Sequence, residues 1–455
     1  MKLTIIHPCV GRRPGQPYVR SWQMEPLPAA HLAGLTPPDV QVSFFDDRLE
    51  AIDYERPTDL VAMSVETYTA KRAYQIASHY RRRGVPVVMG GFHPTLVPDE
   101  VQEYAESIVL GEAEAAWPRL LQDFSEGRLQ PRYKVEGRPD IGRVSPQRRI
   151  FAGKDYLKIG LVEVSRGCTF RCEFCAVQSF FGATQTHRDL DAVLREIAAL
   201  RDEKKLFFFV DDNIVAKRDE AKAFFRELAR LRVRWVGQAT STMAQDEELL
   251  SLMKASGCQG VLIGFESLDP DSLRAMNKGF NLHGGGPEAA VRTLHRLGIR
   301  IYATFIFGYD RDDEESFRRA VGFCKRHKIF MVAFNHLTPF PGTPLYARLE
   351  REGRLLYDKW WLDERYRYGQ VPFRTKLAPE RIQALCVEAR KSFYSIPSIA
   401  ARSFSRQHLA DPYMYYGYLF INFLLRREAT QRENYPLGDE SDREPILKAR
   451  QVLLR

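Results

Sequence analysis

Cysteine is scarce in this chain of 455 residues: seven in all, an odd number. That excludes a disulfide framework and indicates a reducing compartment. Apolar runs long enough to cross a bilayer are missing too. "YMYYGYLFINFLL" (413–425) stops well short of the roughly 20 residues a span requires. No secretion signal is read at the start, because "MKLTIIHP" is too short for an apolar signal core and suits a first buried strand. A chain without a transmembrane segment, placed in the cytoplasm, is expected. Strong charge of one sign is also lacking. The 67 basic and 58 acidic residues leave +9, spread along the sequence in short runs such as Arg81-Arg82-Arg83. This reads as a solvated basic surface, and no nucleic-acid partner is expected. There is no Walker loop and no dinucleotide fingerprint, and "HGGG" (283–286) has no G-x-S-x-G turn to make it an esterase loop.

What is present is a doubly periodic chain. "KLTIIH" (2–7), "VQVSFFD" (40–46), "DLVAMSV" (59–65), "VPVVMGG" (85–91) and "SIVLGE" (107–112) are nearly continuous in apolar character, as strands covered on both faces must be. With the helix ended by Gly84, they predict a doubly wound, parallel, Rossmann-like α/β domain over 1–135. Its ligand would lie at the strand carboxyl ends, beside Ser64, Glu66, Gly90 and Gly91. A Pro- and Gly-bearing linker follows at 136–155. Six further strand patterns begin near 160, 205, 233, 260, 300 and 330, with helical segments between them. They predict a partial (β/α)6 barrel of TIM type over 156–345, with its chemistry at the strand C-termini. Beyond "TPFPGTPLY" the strands are expected to stop, leaving a helical, aromatic extension over 346–455. Its Trp360, Trp361, Tyr366, Tyr368 and Tyr394 either pack a core or line a cavity for a planar substrate.

"SRGCTFRCEFC" (165–175) gathers Cys168, Cys172 and Cys175 in the loop after the first barrel strand. Structural zinc would need a fourth ligand, for which His187 is the candidate, since the other cysteines are scattered singly. Compact runs of thiolates suit iron–sulfur clusters. Three ligands on four irons leave one iron open for substrate or cofactor. CxxxCxxC in this position, with Phe174 before the third cysteine, resembles the radical S-adenosylmethionine (SAM) superfamily. The resemblance implies a [4Fe-4S] cluster whose open iron chelates SAM, cleavage of SAM to a 5′-deoxyadenosyl radical, and an electron donor such as flavodoxin or ferredoxin. It further implies SAM contacts at Asp211, Asp212, Gln238, Thr240 and Glu266, with "ATFIFGYD" (303–310) against adenine.

The first domain resembles the cobalamin-binding (B12) domains that precede this barrel in one branch of the superfamily. There the third strand ends in Ser-x-Leu and the fourth in Gly-Gly, and here Ser64, Gly90 and Gly91 match while Glu66 replaces the leucine. The Asp-x-His-x-x-Gly motif that ligates cobalt is absent, so the lower ligand is unassigned, and His7 and His93 are only strand-end candidates. A domain that kept the fold and lost the cofactor is the alternative. The implied function is a radical SAM enzyme, cobalamin-assisted, that modifies an unactivated carbon of a small, lipid-like or tetrapyrrole substrate, with methyl transfer favoured. The alternatives are an oxidative cyclase like the anaerobic magnesium-protoporphyrin ester cyclase, a radical SAM oxidase or isomerase, tRNA methylthiolation, and a non-enzymatic iron–sulfur or cobalamin sensor.

Overall fold

Val- and Ile-rich runs that bury both faces build the first sheet. The computed structural model describes residues 1–142 and 144–449. Strands β1 (Lys2–His7), β2 (Gln41–Asp46), β3 (Leu60–Ser64), β4 (Val87–Gly90), β5 (Ser107–Leu110) and β6 (Arg132–Lys134) pair in parallel in the order β2-β1-β3-β4-β5-β6. Along β3 the side chains alternate between two cores. Val61 and Met63 pack with Ala73, Tyr74 and Ala77 of helix Ala70–Arg82. Leu60 and Ala62 pack with Ala29 and Ala33 of helix Leu27–Gly34 and with Trp117 and Leu120 of helix Ala116–Ser125. The winding reverses between β1 and β3, which is where open α/β sheets take their ligands. β6 adds to the five strands expected. It is a three-residue edge strand with only Tyr133 buried, too short to show a period.

The second sheet holds β7 (Gly160–Val162), β8 (Phe207–Phe209), β9 (Trp235–Gln238), β10 (Cys258–Glu266), β11 (Arg300–Phe307) and β12 (Met331–His336). All pair in parallel and in sequence order, and among the described residues β7 and β12 do not pair with each other. Helices Leu190–Leu200, Arg218–Leu228, Glu247–Ala255, Gly286–Arg296 and Glu314–Arg326 connect them. Aspartates start several of these helices: Asp189, Asp246 and Asp313 accept the N–H groups of Ala192, Leu249 and Ser316.

After residue 346 the chain is mainly helical, but strands do not stop there. Arg367–Tyr368 pairs with Tyr435–Pro436, and Gly438–Asp439 runs parallel to Gly11–Arg12 beside the first sheet. A Cβ on Gly11 would lie 2.0 Å from the Pro436 carbonyl oxygen, so only glycine permits this approach. Helices Pro379–Phe393, Ile396–Ser403 and Pro412–Glu428 cover the start of β12. There Arg402 donates to the Ile329 carbonyl at 2.9 Å and Asn422 to that of Phe330 at 3.1 Å.

Candidate active site

The three-cysteine loop is held from several sides. Asp211 is buried, and its carboxylate accepts the Val164 N–H at 3.1 Å and the Ser165 hydroxyl. Burial raises that carboxyl to about 7. Asp211 thus anchors the junction of strand and loop. Asp212 accepts the Gly167 N–H at 2.8 Å, and its carboxyl, raised by burial to about 6, faces Cys168 and Cys175. Glu173, inside the motif, accepts from Arg348 at 2.6 Å and from the Tyr309 hydroxyl at 3.0 Å. Phe170 packs on Phe280 with ring centroids 3.9 Å apart.

All seven cysteines are free. Burial raises the three motif thiols, Cys172 to about 12, and they act on one another electrostatically. The groups that oppose burial are those a thiolate needs: backbone N–H donors at Phe170, Val177 and Gln178, and the Lys278 ammonium. Asn213 adds its amide at 3.9 Å from the Cys168 sulfur. Among the described residues no group of three or more His, Cys, Asp or Glu side chains could hold a metal ion. A cluster needs no such convergence, since each thiolate ligates its own iron.

Opposite the cysteines lies Glu266, at the end of β10. Register slips between Gly264 and Glu266, and Glu266 takes a left-handed φ of 63°. Lys278 holds it there, with Nζ 3.0 Å from the Glu266 carboxylate and 2.8 Å from the Gly264 carbonyl oxygen. Asn281 donates to the Gly264 and Phe265 carbonyls, and Thr304 to Glu266 at 3.2 Å. Lys278 and Asn281 lie in "MNKGFN" (276–281), which follows helix Pro270–Ala275. Gln238 donates to the Asp211 carbonyl at 3.2 Å. Thr240 bonds Thr242 at 3.0 Å.

The first sheet contributes the facing wall. Gly91 has φ 100°, and a Cβ there would meet the Ser64 hydroxyl at 3.0 Å and the Val65 backbone. Gly90 has no such constraint; its added Cβ would only touch Val109. At the winding reversal, His7 and Ser64 have no side-chain hydrogen-bond partner among the described residues, and Glu66 accepts only the Thr69 backbone N–H in a capping box. Glu66 is solvent-accessible yet surrounded densely enough that burial raises its carboxyl, so it lines an internal chamber. Burial, then Arg48, lowers His7 to about 3 and keeps it neutral. His93 is occupied by contrast, bonded to Glu100 at 3.2 Å and to Thr67 at 3.3 Å.

The two walls touch. Phe92, next to Gly91, stacks on Phe180 of helix Ala176–Phe181, which follows Cys175 (ring centroids 4.5 Å). Arg166 of the motif reaches Glu112 of the first domain at 3.3 Å. Tyr68, after β3, bonds Thr338 at 3.0 Å and packs on Tyr368 and Trp360 at 4.9 and 5.1 Å. The hydroxyls of Tyr302 and Tyr368 have no partner among the described residues, and Asn335 at the end of β12 is exposed.

A thiol triad at the strand C-termini of a parallel β/α sheet, with a second α/β sheet over it, defines an iron–sulfur enzyme built around an open chamber. The model of the radical SAM superfamily matches residues 162–324. Over 413 residues the chain is 32% identical to bacteriochlorophyllide d C-12(1)-methyltransferase of Chlorobaculum tepidum, covering 88% of each. It is 27% identical over 430 residues to the C-8(2)-methyltransferase of the same organism, covering 85% of this chain and 95% of that one. The chain belongs to the radical SAM superfamily and is an enzyme, which removes the sensor reading. The superfamily's [4Fe-4S] cluster and SAM are its cofactors. The fold is similar to that of TsrM, a radical SAM methyltransferase of Kitasatospora setae solved with cobalamin and a [4Fe-4S] cluster bound. The TM-score is 0.62 at 19% identity, covering 77% of this chain and 75% of that one. Among the described residues no helix is long and apolar enough to cross a membrane.

Proposed function

We propose that this enzyme is a cobalamin-assisted radical SAM methyltransferase that methylates a carbon of a tetrapyrrole macrocycle. One observation carries the reading. Unpartnered polar side chains of the first sheet (His7, Ser64) and of the aromatic wall (Tyr302, Tyr368) lie, with the exposed Glu66, where the two sheets meet. Similarity to the bacteriochlorophyllide d methyltransferase along 88% of the chain supports the substrate class. Residues 1–135 serve as the cobalamin-binding domain, 136–155 as linker, 156–345 as the partial six-unit barrel and 346–455 as the extension that completes the aromatic wall. A flavodoxin or ferredoxin in a reducing cytoplasm supplies electrons.

Cys168, Cys172 and Cys175 would hold the cluster, which when bound supplies the electron that splits SAM. Ser64, Glu66, Gly90 and Gly91 would receive cobalamin, which when bound carries the methyl group. The protein's own part is placement. Glu266, fixed by Lys278 and Thr304, offers SAM its free hydrogen-bonding capacity, and Asp212 and Gln238 border the same space. Asp211 acts on SAM only by positioning the loop. Tyr68, Tyr302 and Tyr368, backed by the buried Trp360, give a planar ring an apolar face and exclude water.

The test is anaerobic purification with hydroxocobalamin, followed by incubation with SAM, reductant and bacteriochlorophyllide d. Stoichiometric cobalamin, 5′-deoxyadenosine and a product heavier by one methylene are expected. Changing all three motif cysteines to alanine should abolish the iron–sulfur absorbance near ~400 nm and the product together. A product that has lost hydrogen or gained oxygen, without the methylene, would replace methyl transfer by oxidation or cyclisation.

A further inference from the structure

Helix Pro412–Glu428 carries a row of aromatics that the described residues leave exposed. Tyr413, Tyr416, Phe420 and Phe423 are 42, 70, 61 and 49% exposed, and Leu409 and Phe404 extend the row at 53 and 70%. The spacings of three and four residues put 413, 416, 420 and 423 on one side of this helix, and Leu409 and Phe404 lie in the segment before it. Leu419 and Ile421 flank that row half-buried, so the apolar sector is broader than the two-position seam of a coiled coil.

The charges around the row have one sign. Lys391, Arg406, Arg426 and Arg427 are exposed, and none has a hydrogen-bond or ion-pair partner among the described residues, in a protein otherwise laced with salt bridges. The nearby acids are committed: Asp411 is paired with Arg234 at 3.2 Å, and Glu428 is buried against Ser21 and Arg432. Lys391, Arg426 and Arg427, with Phe423 and Thr430, line a surface pocket of about 520 Å³ at the end of the aromatic row. The helix macrodipole accounts for cations in the last turn. It accounts neither for their gathering with Lys391 around a concavity nor for the exposed rings.

We infer that this face docks on an anionic lipid bilayer, with the rings entering the acyl boundary and the cationic pocket taking a lipid phosphate. Tyrosine and phenylalanine on one face with arginine beside them are the composition of an interfacial helix that lies in the membrane plane. A second copy of the chain would bring the same unpaired cations and the same lack of free carboxylates to the contact, whereas an anionic surface supplies the missing charge. The helix sits at the N-terminal ends of the second sheet, through Asn422 and Arg402. The cysteine loop lies at the opposite, C-terminal ends. Docking would therefore hold the enzyme by its base and leave the chamber clear of the lipid.

The experiment is flotation of the full-length holoenzyme with vesicles of phosphatidylcholine alone or mixed in equal parts with phosphatidylglycerol. Binding to the mixed vesicles only is expected, weakening as salt rises. Arg426→Gln with Arg427→Gln should lower the partition coefficient roughly thirty-fold, about fivefold per cation. Phe420→Ser with Phe423→Ser should abolish binding while leaving thermal unfolding and cluster absorbance unchanged. A Phe420→Trp reporter should shift its emission to the blue on the same vesicles. Failure to bind the mixed vesicles would overturn the inference. So would a dimer in sedimentation that Phe420→Ser dissolves without any vesicle binding, which would assign the face to a second copy. Full displacement from vesicles by inorganic phosphate at constant ionic strength would make the pocket a site for free phosphate and overturn the lipid source.

Discussion

Glu266 is the residue where backbone and charge are most tightly coupled. A left-handed φ costs a residue with a Cβ about 1–2 kcal/mol, and a buried carboxylate needs its partner. Lys278, Asn281 and Thr304 meet both demands. Glu266→Ala should destabilise the apoprotein by about 3–5 kcal/mol, because it strands a buried ammonium. Glu266→Gly should be milder by about 1 kcal/mol, since glycine accepts the backbone without strain. Glu266→Leu with Lys278→Met should recover most of the loss. Urea unfolding of the three variants checks the order, and a double variant no better than Glu266→Ala would refute the pairing. Glu266 was legible in the sequence as a polar residue ending a very apolar strand. Its partner was not, because Lys278 lies 12 residues on, across a loop whose path no local period encodes. Asn213 escaped for a related reason: a polar residue after paired aspartates carries no sign that it faces a sulfur.

Among the elements, the helices that follow β12 depend on one buried cation. Arg402 makes no ion pair among the described residues. Its guanidinium donates to the carbonyls of Ile329 and Phe393 and to the Asn422 side chain, at 2.9, 3.0 and 3.0 Å, and lies 3.7 Å over the Phe393 ring. Burial pulls its pKa down, yet it supplies donors that several carbonyl groups would otherwise lack. Arg402→Met keeps the bulk and removes the donors, so it should cost about 3 kcal/mol. Hydrogen exchange should accelerate over 396–428 and leave the first sheet unchanged. Uniform acceleration along the chain would show that these helices do not unfold as a unit. At this scale the sequence declared most strands through continuous apolar runs. It hid β6 and the two-residue pairs at 367–368, 435–436 and 438–439, which are too short to carry periodicity and are defined by tertiary contact alone.

The whole molecule combines histidines held neutral with aspartates whose pKa burial raises. Burial lowers His7, His31 and His408 to about 3, and His295 and His336 to about 4. Unfolded, each would bind a proton below about 6.5. Unfolding therefore takes up protons there, and stability falls as pH drops from about 6.5 toward 4. Asp211, Asp212 and Asp312, raised by burial to about 7, 6 and 6, act in the opposite sense, because the folded state already holds their protons. Near pH 5 these eight groups give a net uptake of about two protons, or about 3 kcal/mol per pH unit, and His93, His187 and His327, which burial also lowers, add to it. Urea midpoints of the apoprotein at pH 7, 6 and 5 should fall accordingly, and a flat series would show that the histidines are not held neutral.

The parallel pairing of Gly438–Asp439 with Gly11–Arg12 gives assembly a direction. A ribosome releases the first sheet's residues early, but the strand that closes over Gly11 emerges only after more than four hundred others. Synthesis must therefore run nearly to completion before the first domain can lock. Nascent chains arrested before residue 430 would keep that edge open to proteolysis, and chains released past 440 would close it. The order of translation thus decides when the chamber between the sheets comes into being.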